Sequence, residues 1–246
     1  MNPESPAVVV TRPARDADSL CCKLRASGRD TIACPAFSLR PEPQPRRRAA
    51  LAGLADCDAA IVTSPFAAGL AVSDAPAPRD GPIYVAPGRG TAAVLTSAGL
   101  PTSHPKAGGT SEDLLALPVL GSVRGRRVAI LGAPGGRRLL DRELVARGAS
   151  VERIHLYRRE PLPVAGELVD ALASARPLIV MVSSRNVFEH ITGALPSALR
   201  PAWLAASFVV SSARLARLCR ERGARDVRQA EGASNAAMLR ALDEAR

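Results

Sequence analysis

Short runs rich in Val, Ile and Ala alternate with longer segments of helical period almost from one end of the chain to the other. That alternation is the pattern of parallel strands joined by crossover helices, so the fold class it predicts is α/β. Ala7 to Val10 is a wholly apolar run ending in Thr11-Arg12-Pro13, and it is followed by an amphipathic stretch from Arg15 to Ala26 and a turn at Ser27-Gly28. Further strands are predicted at Thr31 to Pro35, Ala59 to Thr63, Ile83 to Ala86, Val128 to Leu131, Val151 to Tyr157, Leu178 to Val182 and Ser207 to Val210, with a weaker one near Val227. Between them, helical spacing covers Arg46 to Leu54, the stretch opened by Ser64-Pro65, Thr91 to Ser97, a short segment begun by Ser111-Glu112-Asp113, and Arg137 to Arg147 closed by Gly148. Pro163 to Ala173, Ser184 to Ile191, Ala213 to Glu221 and Asn235 to Glu244 complete the set.

Two stretches resemble each other. Ala59 to Ser64 followed by a helix parallels Leu178 to Ser184 followed by a helix, and each leads to a second strand and a Gly- or Ser-rich helix start, Val85 to Thr91 and Val209 to Ser212. Two similar lobes are therefore expected. The breaks fall at the Pro-rich stretch Pro41 to Pro45 and at Arg158 to Pro161. Residues 1–37 with 160–246 then form one lobe and 38–159 the other, with linker strands near 36–40 and 155–160.

Composition adds exclusions. The 246 residues are 47% hydrophobic and 23% charged, close to the globular average. No apolar run approaches the ~18 residues of a membrane span; Pro177 to Val182 and Ala202 to Val210 have the length of buried strands. The start of the chain carries Glu4 with Pro3 and Pro6 where an export signal needs a basic, then apolar, stretch, so a cytoplasmic protein is expected. Five Cys without a C-x-x-C spacing read as reduced, and His104, His155 and His190 never fall in metal-ligand spacing, so no metal site is expected. Lys and Arg total 33 against 23 Asp and Glu, a net charge of +10, and Lys23 and Lys106 are the only lysines. Such an Arg excess suits bidentate capture of carboxylate or phosphate, and GC-rich codons, which also account for the abundance of Ala, Gly and Pro, are the alternative source of it. The basic residues are scattered and aromatics are only 3%, which gives nucleic acid neither a stripe nor a stacking platform.

In open parallel sheets, ligands bind beyond the carboxyl ends of the strands, where helix N-termini present free N–H groups. Here those ends carry Thr11-Arg12, Thr63-Ser64, Gly88 to Thr91, Gly135-Gly136-Arg137, Ser183-Ser184-Arg185 and Ser211-Ser212. Each hydroxyl could hold a carboxylate or could simply cap a helix. Neither G-x-G-x-x-G, nor a P-loop, nor G-x-S-x-G occurs, so a nucleotide cofactor and a hydrolytic triad have no support. Asp16, Asp18, Asp113, Asp141 and Glu143 read as solvated helix faces. An enzyme of this make-up would work by positioning and electrostatics.

Taken in order, the motifs resemble those of the uroporphyrinogen-III synthase family over almost the whole length. The resemblance is carried by Val8-Val9-Val10-Thr11-Arg12-Pro13, Ile61-Val62-Thr63-Ser64, Gly88-x-x-Thr91 and Ser111-Glu112-Asp113-Leu114-Leu115. It continues through Gly135-Gly136-Arg137-x-Leu139-Leu140, Gly148-Ala149-x-Val151 leading to Tyr157-Arg158, and Ser183-Ser184. It implies two α/β lobes on a two-stranded linker, and the cofactor-free cyclisation of hydroxymethylbilane, a linear tetrapyrrole bearing eight carboxylates, with inversion of ring D. By the same resemblance Tyr157 is the catalytic position. Thr11, Arg12, Thr63, Ser64, Gly88, Thr91, Gly136, Arg137, Ser183, Ser184, Ser211 and Ser212 are the implied substrate-binding positions.

The chain departs from the family pattern at Ser211-Ser212-Ala213-Arg214, where many members repeat the Gly-x-x-Thr turn, at Gly132, where many carry Arg, and at Phe66, where a polar residue is common. A monomer is expected, with transient contact with the preceding deaminase plausible for an unstable substrate. The alternative class is a non-catalytic two-lobed binding protein for an acidic small molecule.

Overall fold

The computed structural model describes residues 5–74, 81–106, 109–135 and 138–244. Their strands, in chain order, are β1 Ala7–Val10, β2 Thr31–Ala33, β3 Phe37–Pro41, β4 Ala59–Val62, β5 Ile83–Val85, β6 Thr102–Ser103, β7 Arg127–Gly132, β8 Ser150–His155, β9 Tyr157–Pro161, β10 Leu178–Val182, β11 Ser207–Val210 and β12 Asp226–Gln229. They form two five-stranded sheets, in the orders β12-β11-β10-β1-β2 and β6-β5-β4-β7-β8, and a two-stranded ladder β3-β9. Every neighbour in the five-stranded sheets is parallel, as in Val9↔Val180 and Ile61↔Ile130. The fold class is thus α/β, two parallel sheets flanked by helices and joined by a small antiparallel ladder.

The chain divides into two compact units, Met1–Ser38 with Glu160–Arg246, and Leu39–Arg159. The two sheet orders coincide when β10, β11, β12, β1 and β2 are laid on β4, β5, β6, β7 and β8. The repeat between Ala59 to Ser64 and Leu178 to Ser184 is therefore a repeat of the central strands β4 and β10. Within each unit the side-chain alternation of a strand divides the core between two faces. In the first unit Val9, Val180 and Val182 pack on one face with Phe188, Trp203 and Phe208, while Val8, Val10, Ile179 and Met181 pack on the other with Leu20, Leu24 and Met238. In the second, Ala60, Val62 and Leu131 face Leu95 and Tyr157, whereas Ile61, Val128 and Ile130 face Leu120 and Leu144. Runs buried on both faces must be continuously apolar, which is why these strands stand out in the sequence.

Three element readings need correction. Val151 to Tyr157 is not one strand: β8 follows β7 as far as His155, and β9 begins at Tyr157 on the other ladder. Leu156 makes the change, giving its N–H to Gly132 O and its carbonyl to the Glu42 N–H. The apolar run Ala202 to Val210 is also not one strand. Its first part ends the helix Arg200–Ala205, whose Pro201 occupies the first turn and whose Trp203 is buried, and β11 starts at Ser207. The helix placed at Arg46 to Leu54 begins earlier, at Gln44, and tightens into a 3₁₀ turn at Ala52–Asp56.

Candidate functional site

At the carboxyl end of β4, in the second unit, Ser64 and Tyr157 are in direct contact. Ser64 follows β4, and its Oγ accepts the N–H of Ala67, fixing the start of the helix Pro65–Asp74. The same Oγ lies 3.2 Å from the phenol oxygen of Tyr157, so the capped helix holds the tyrosine by its polar end. The ring stands edge-on to Phe66, centroids 5.0 Å apart at 89°, and the Arg159 guanidinium lies 5.9 Å from its centroid. Tyr157 is only 2% exposed. Thr63 is exposed, and its Oγ1 donates to Leu131 O at 2.9 Å. Its position depends on the neighbouring strand: a Cβ at residue 132 would stand 2.2 Å from Thr63 Oγ1, and Gly132 has none.

Beyond β5, Gly88 precedes the helix Arg89–Ser97, and Thr91, on its first turn, is buried. The Gly88 backbone is extended, and a Cβ there would meet nothing within 4 Å, so neither backbone nor packing demands a glycine. Gly136 and Arg137 lie outside the described residues.

In the first unit, Thr11 is buried at the end of β1 and donates from Oγ1 to Met181 O at 2.7 Å, which ties β1 to β10. Arg12 donates to Ala233 O; its burial lowers the guanidinium pKa, an effect that Asp16 opposes. The four serines gather at the ends of β10 and β11. Ser211 Oγ donates to Ser183 O at 2.9 Å, Ser184 Oγ accepts from Val187 N and Ser212 Oγ accepts from Leu215 N, each of these two capping a helix. Ser183, Ser184 and Ser212 line a cavity of about 170 Å³ together with Arg185, Arg214 and Arg217. Two capped helix N-termini with Arg214 and Arg217 favour an anion there, while Arg185 is paired with Glu189 and Glu221 also lines the cavity.

Of the three arginines, Arg185 stands in a strand-end turn singled out by sequence reasoning, whereas Arg214 and Arg217 are given no binding role by it. For Arg214 the available signal is its place two residues beyond a serine cap, Ser212-Ala213-Arg214; Arg217, farther along the same helix, carries none. Asp141 is not the solvated acid expected: Arg153 on β8 grips it through Nε and Nη2, 2.5 Å to each oxygen, and this hydrogen bonding holds its carboxyl below the usual range. Asp113 is the closing half of a capping box with Thr110, and hydrogen bonds from the Gly109 and Thr110 N–H groups lower its pKa. Burial raises the thiols of Cys21, Cys34 and Cys57, and Cys219 reaches about 11. Among the described residues no group of three or more His, Cys, Asp or Glu is arranged to hold a metal, and no helix is long and apolar enough to cross a membrane.

A family model described as uroporphyrinogen-III synthase HemD matches residues 18–240. The uroporphyrinogen-III synthase of Escherichia coli (strain K12) is 35% identical over 245 residues, covering 96% of this chain and 99% of the relative. That of Salmonella typhimurium is 33% identical with the same coverage. In fold, a mutant uroporphyrinogen III synthase of Thermus thermophilus superposes with a TM-score of 0.67 at 21% identity, over 98% of both chains. The uroporphyrinogen-III synthetase of Helicobacter pylori 26695 superposes with a TM-score of 0.59 at 13% identity, over 98% of this chain and 100% of its own. With that family model matching residues 18–240 and relatives of 33% and 35% identity aligned along nearly the whole chain, this chain belongs to the uroporphyrinogen-III synthase family.

Proposed function

We propose that this protein closes hydroxymethylbilane to uroporphyrinogen III, with loss of water and inversion of ring D, and that Tyr157 supplies the proton to the departing hydroxyl. Family membership supports the reaction; the 3.2 Å contact between Tyr157 and Ser64 is the observation that carries the tyrosine's role. Because the Ser64 oxygen already accepts the Ala67 N–H, its own proton can point at the phenol oxygen, which leaves the phenol hydrogen for the leaving group. A neutral phenol places no anion beside eight carboxylates before the step; the phenolate left by the transfer accepts from the Ser64 hydroxyl and regains the proton that the attacking ring carbon loses on closure. The serine-capped cavity with Arg185, Arg214 and Arg217 offers carboxylates N–H, O–H and guanidinium donors. Arg12 adds positive charge, as the resemblance implies for Arg137, while Thr11 and Thr63 give their hydroxyl protons to Met181 O and Leu131 O and so act by fixing the strand ends. On this reading the enzyme is a cytoplasmic monomer that uses no cofactor and meets the preceding deaminase transiently to receive its substrate.

The test is to supply freshly made hydroxymethylbilane, oxidise the products and separate the porphyrin isomers, with a protein-free control for spontaneous closure to isomer I. Isomer III is expected, and Tyr157→Phe is expected to lower kcat by about a hundredfold with KM within about twofold. Isomer I alone from folded protein would overturn the reaction and favour a non-catalytic binder. Full activity of Tyr157→Phe would overturn the tyrosine's role.

A further inference from the structure

The helix Pro65–Asp74 touches the strand of Tyr157 through both of its ends. At its N-terminus Ser64 meets the phenol oxygen and Phe66 meets the ring. At its C-terminus stands Asp74, whose carboxylate is fully buried and is held by the Nε of Arg47 and, at 3.3 Å, by the Nε2 of Gln44. The same guanidinium donates from Nη1 to the carbonyl of Glu42. The N–H of Glu42 in turn donates, at 2.9 Å, to the carbonyl of Leu156, the residue before Tyr157. The chain of contacts is continuous: Asp74, Arg47, the Glu42 peptide, the Leu156 peptide, Tyr157, Ser64 and back along one helix.

A buried ion pair is a costly way to join two helices, because desolvating both charges offsets most of their attraction. An apolar pair would hold Gln44–Leu51 against Pro65–Asp74 as well. What an apolar pair cannot do is fork, one guanidinium grasping a carboxylate on one helix and a backbone carbonyl on a strand end. The direction of the charge agrees: burial raises the Asp74 carboxyl, yet the hydrogen bonds of Arg47 and Gln44 outweigh it and leave it below the usual range, so it stays ionised where its partner needs it. We infer that Arg47 and Asp74 are positioning residues for Tyr157: they fix the Leu156–Tyr157 peptide from one end of the helix while Ser64 fixes the phenol from the other. This inference rests on the reading of Tyr157 as the proton donor.

The experiment is a cycle between the ion pair and the tyrosine. Arg47→Met/Asp74→Leu removes both charges together, so no buried charge is left unpaired. With the tyrosine present, this double variant is expected to lower kcat by about tenfold or more with KM within about twofold, since misplacing a reacting group costs turnover before it costs binding. In the Tyr157→Phe background the same replacement is expected to change kcat by less than about twofold, because residues that act through one another are not additive. Independently of activity, the Glu42 amide is expected to exchange its hydrogen about tenfold faster. Arg47→Lys keeps the ion pair but cannot fork; it is expected to reproduce the faster exchange and part of the kcat loss, and it carries the test where the double variant does not fold. An equal loss in both backgrounds, or a folded double variant with undiminished kcat and unchanged Glu42 exchange, would overturn the inference. Full activity of Tyr157→Phe alone would remove the reading beneath it, and that result appears before residues 47 or 74 are touched.

Discussion

Ala175 has φ of 54°, and among the described residues it is the only one other than glycine on the positive side. It closes the helix Gly166–Ala173: its N–H reaches Leu172 O, and the next N–H, of Arg176, reaches Ala171 O, the pairing that normally recruits glycine. Gly28, Gly99, Gly148 and Gly223 hold the matching place after other helices, with φ between 76° and 101°. Ala175→Gly should therefore stabilise the fold by about 0.5–1 kcal/mol, the relief of the Cβ clash less the extra freedom of an unfolded glycine, seen as a rise in Tm of about 1–4 °C. Gly132 presents the opposite case. Gly132→Ala would turn Thr63 out of its rotamer and break its bond to Leu131 O, at a cost of about 1 kcal/mol. Adding Thr63→Ala should recover part of that stability in denaturant titrations. The family resemblance marks Gly132 but not the reason for it, which is a strand neighbour distant along the chain, and an alanine at 175 carries no glycine signal for the helix end it closes. Thr63, Ser64 and Ser184 could be singled out because a hydroxyl between an apolar run and a helical period has few places to go.

Helix starts were the most readable elements. Ser184 and Ser212, and likewise Ser234, each accept the N–H three residues on, chemistry spelled out within four residues, whereas the reciprocal box of Thr110 with Asp113 is missed by a reading of Asp113 as a solvated acid. Ser234→Ala lies away from the strand-end serines and should cost about 1 kcal/mol in urea unfolding, with unchanged m. Elements that depend on a partner were the ones lost. The short β6 exists because Tyr84 and Val85 pair with Thr102 and Ser103, and the change of ladder at Leu156 exists because Glu42 is there to meet it. The candidate site shows the same division: the serine caps were legible, whereas Arg214 and Arg217 enter it through the placement of one helix beside another.

At the level of the molecule, several carboxylates are ionised more readily than usual for a shared reason: Asp30 through hydrogen bonding from Arg176, Asp141 through Arg153, and Asp74 through Arg47 and Gln44 against its burial. A carboxyl lowered in the folded state binds its proton more weakly there than in the unfolded chain, where Asp titrates near 3.9. Stability should hold steady above about pH 5 and fall as pH drops through 4 towards the lowered values, in thermal melts taken across that range. Asp141→Asn should flatten that acid limb and cost about 1–2 kcal/mol at neutral pH, because it loosens a half-sheltered two-pronged contact. The α/β class was visible in the periodicity because both sheets are parallel and buried on two faces. The strand order has a consequence in time. During synthesis at about 5–20 residues per second, β1 emerges first and, paired with β2, waits from Val10 to Leu178, roughly 168 residues, until its other neighbour β10 is made. Meanwhile the second unit is contiguous and can close at once. Once it has done so, the β3-β9 ladder brings Ala36 beside Leu162, and the long wait ends in a short loop closure. The nascent chain thus uses its middle as the jig on which its two ends are joined.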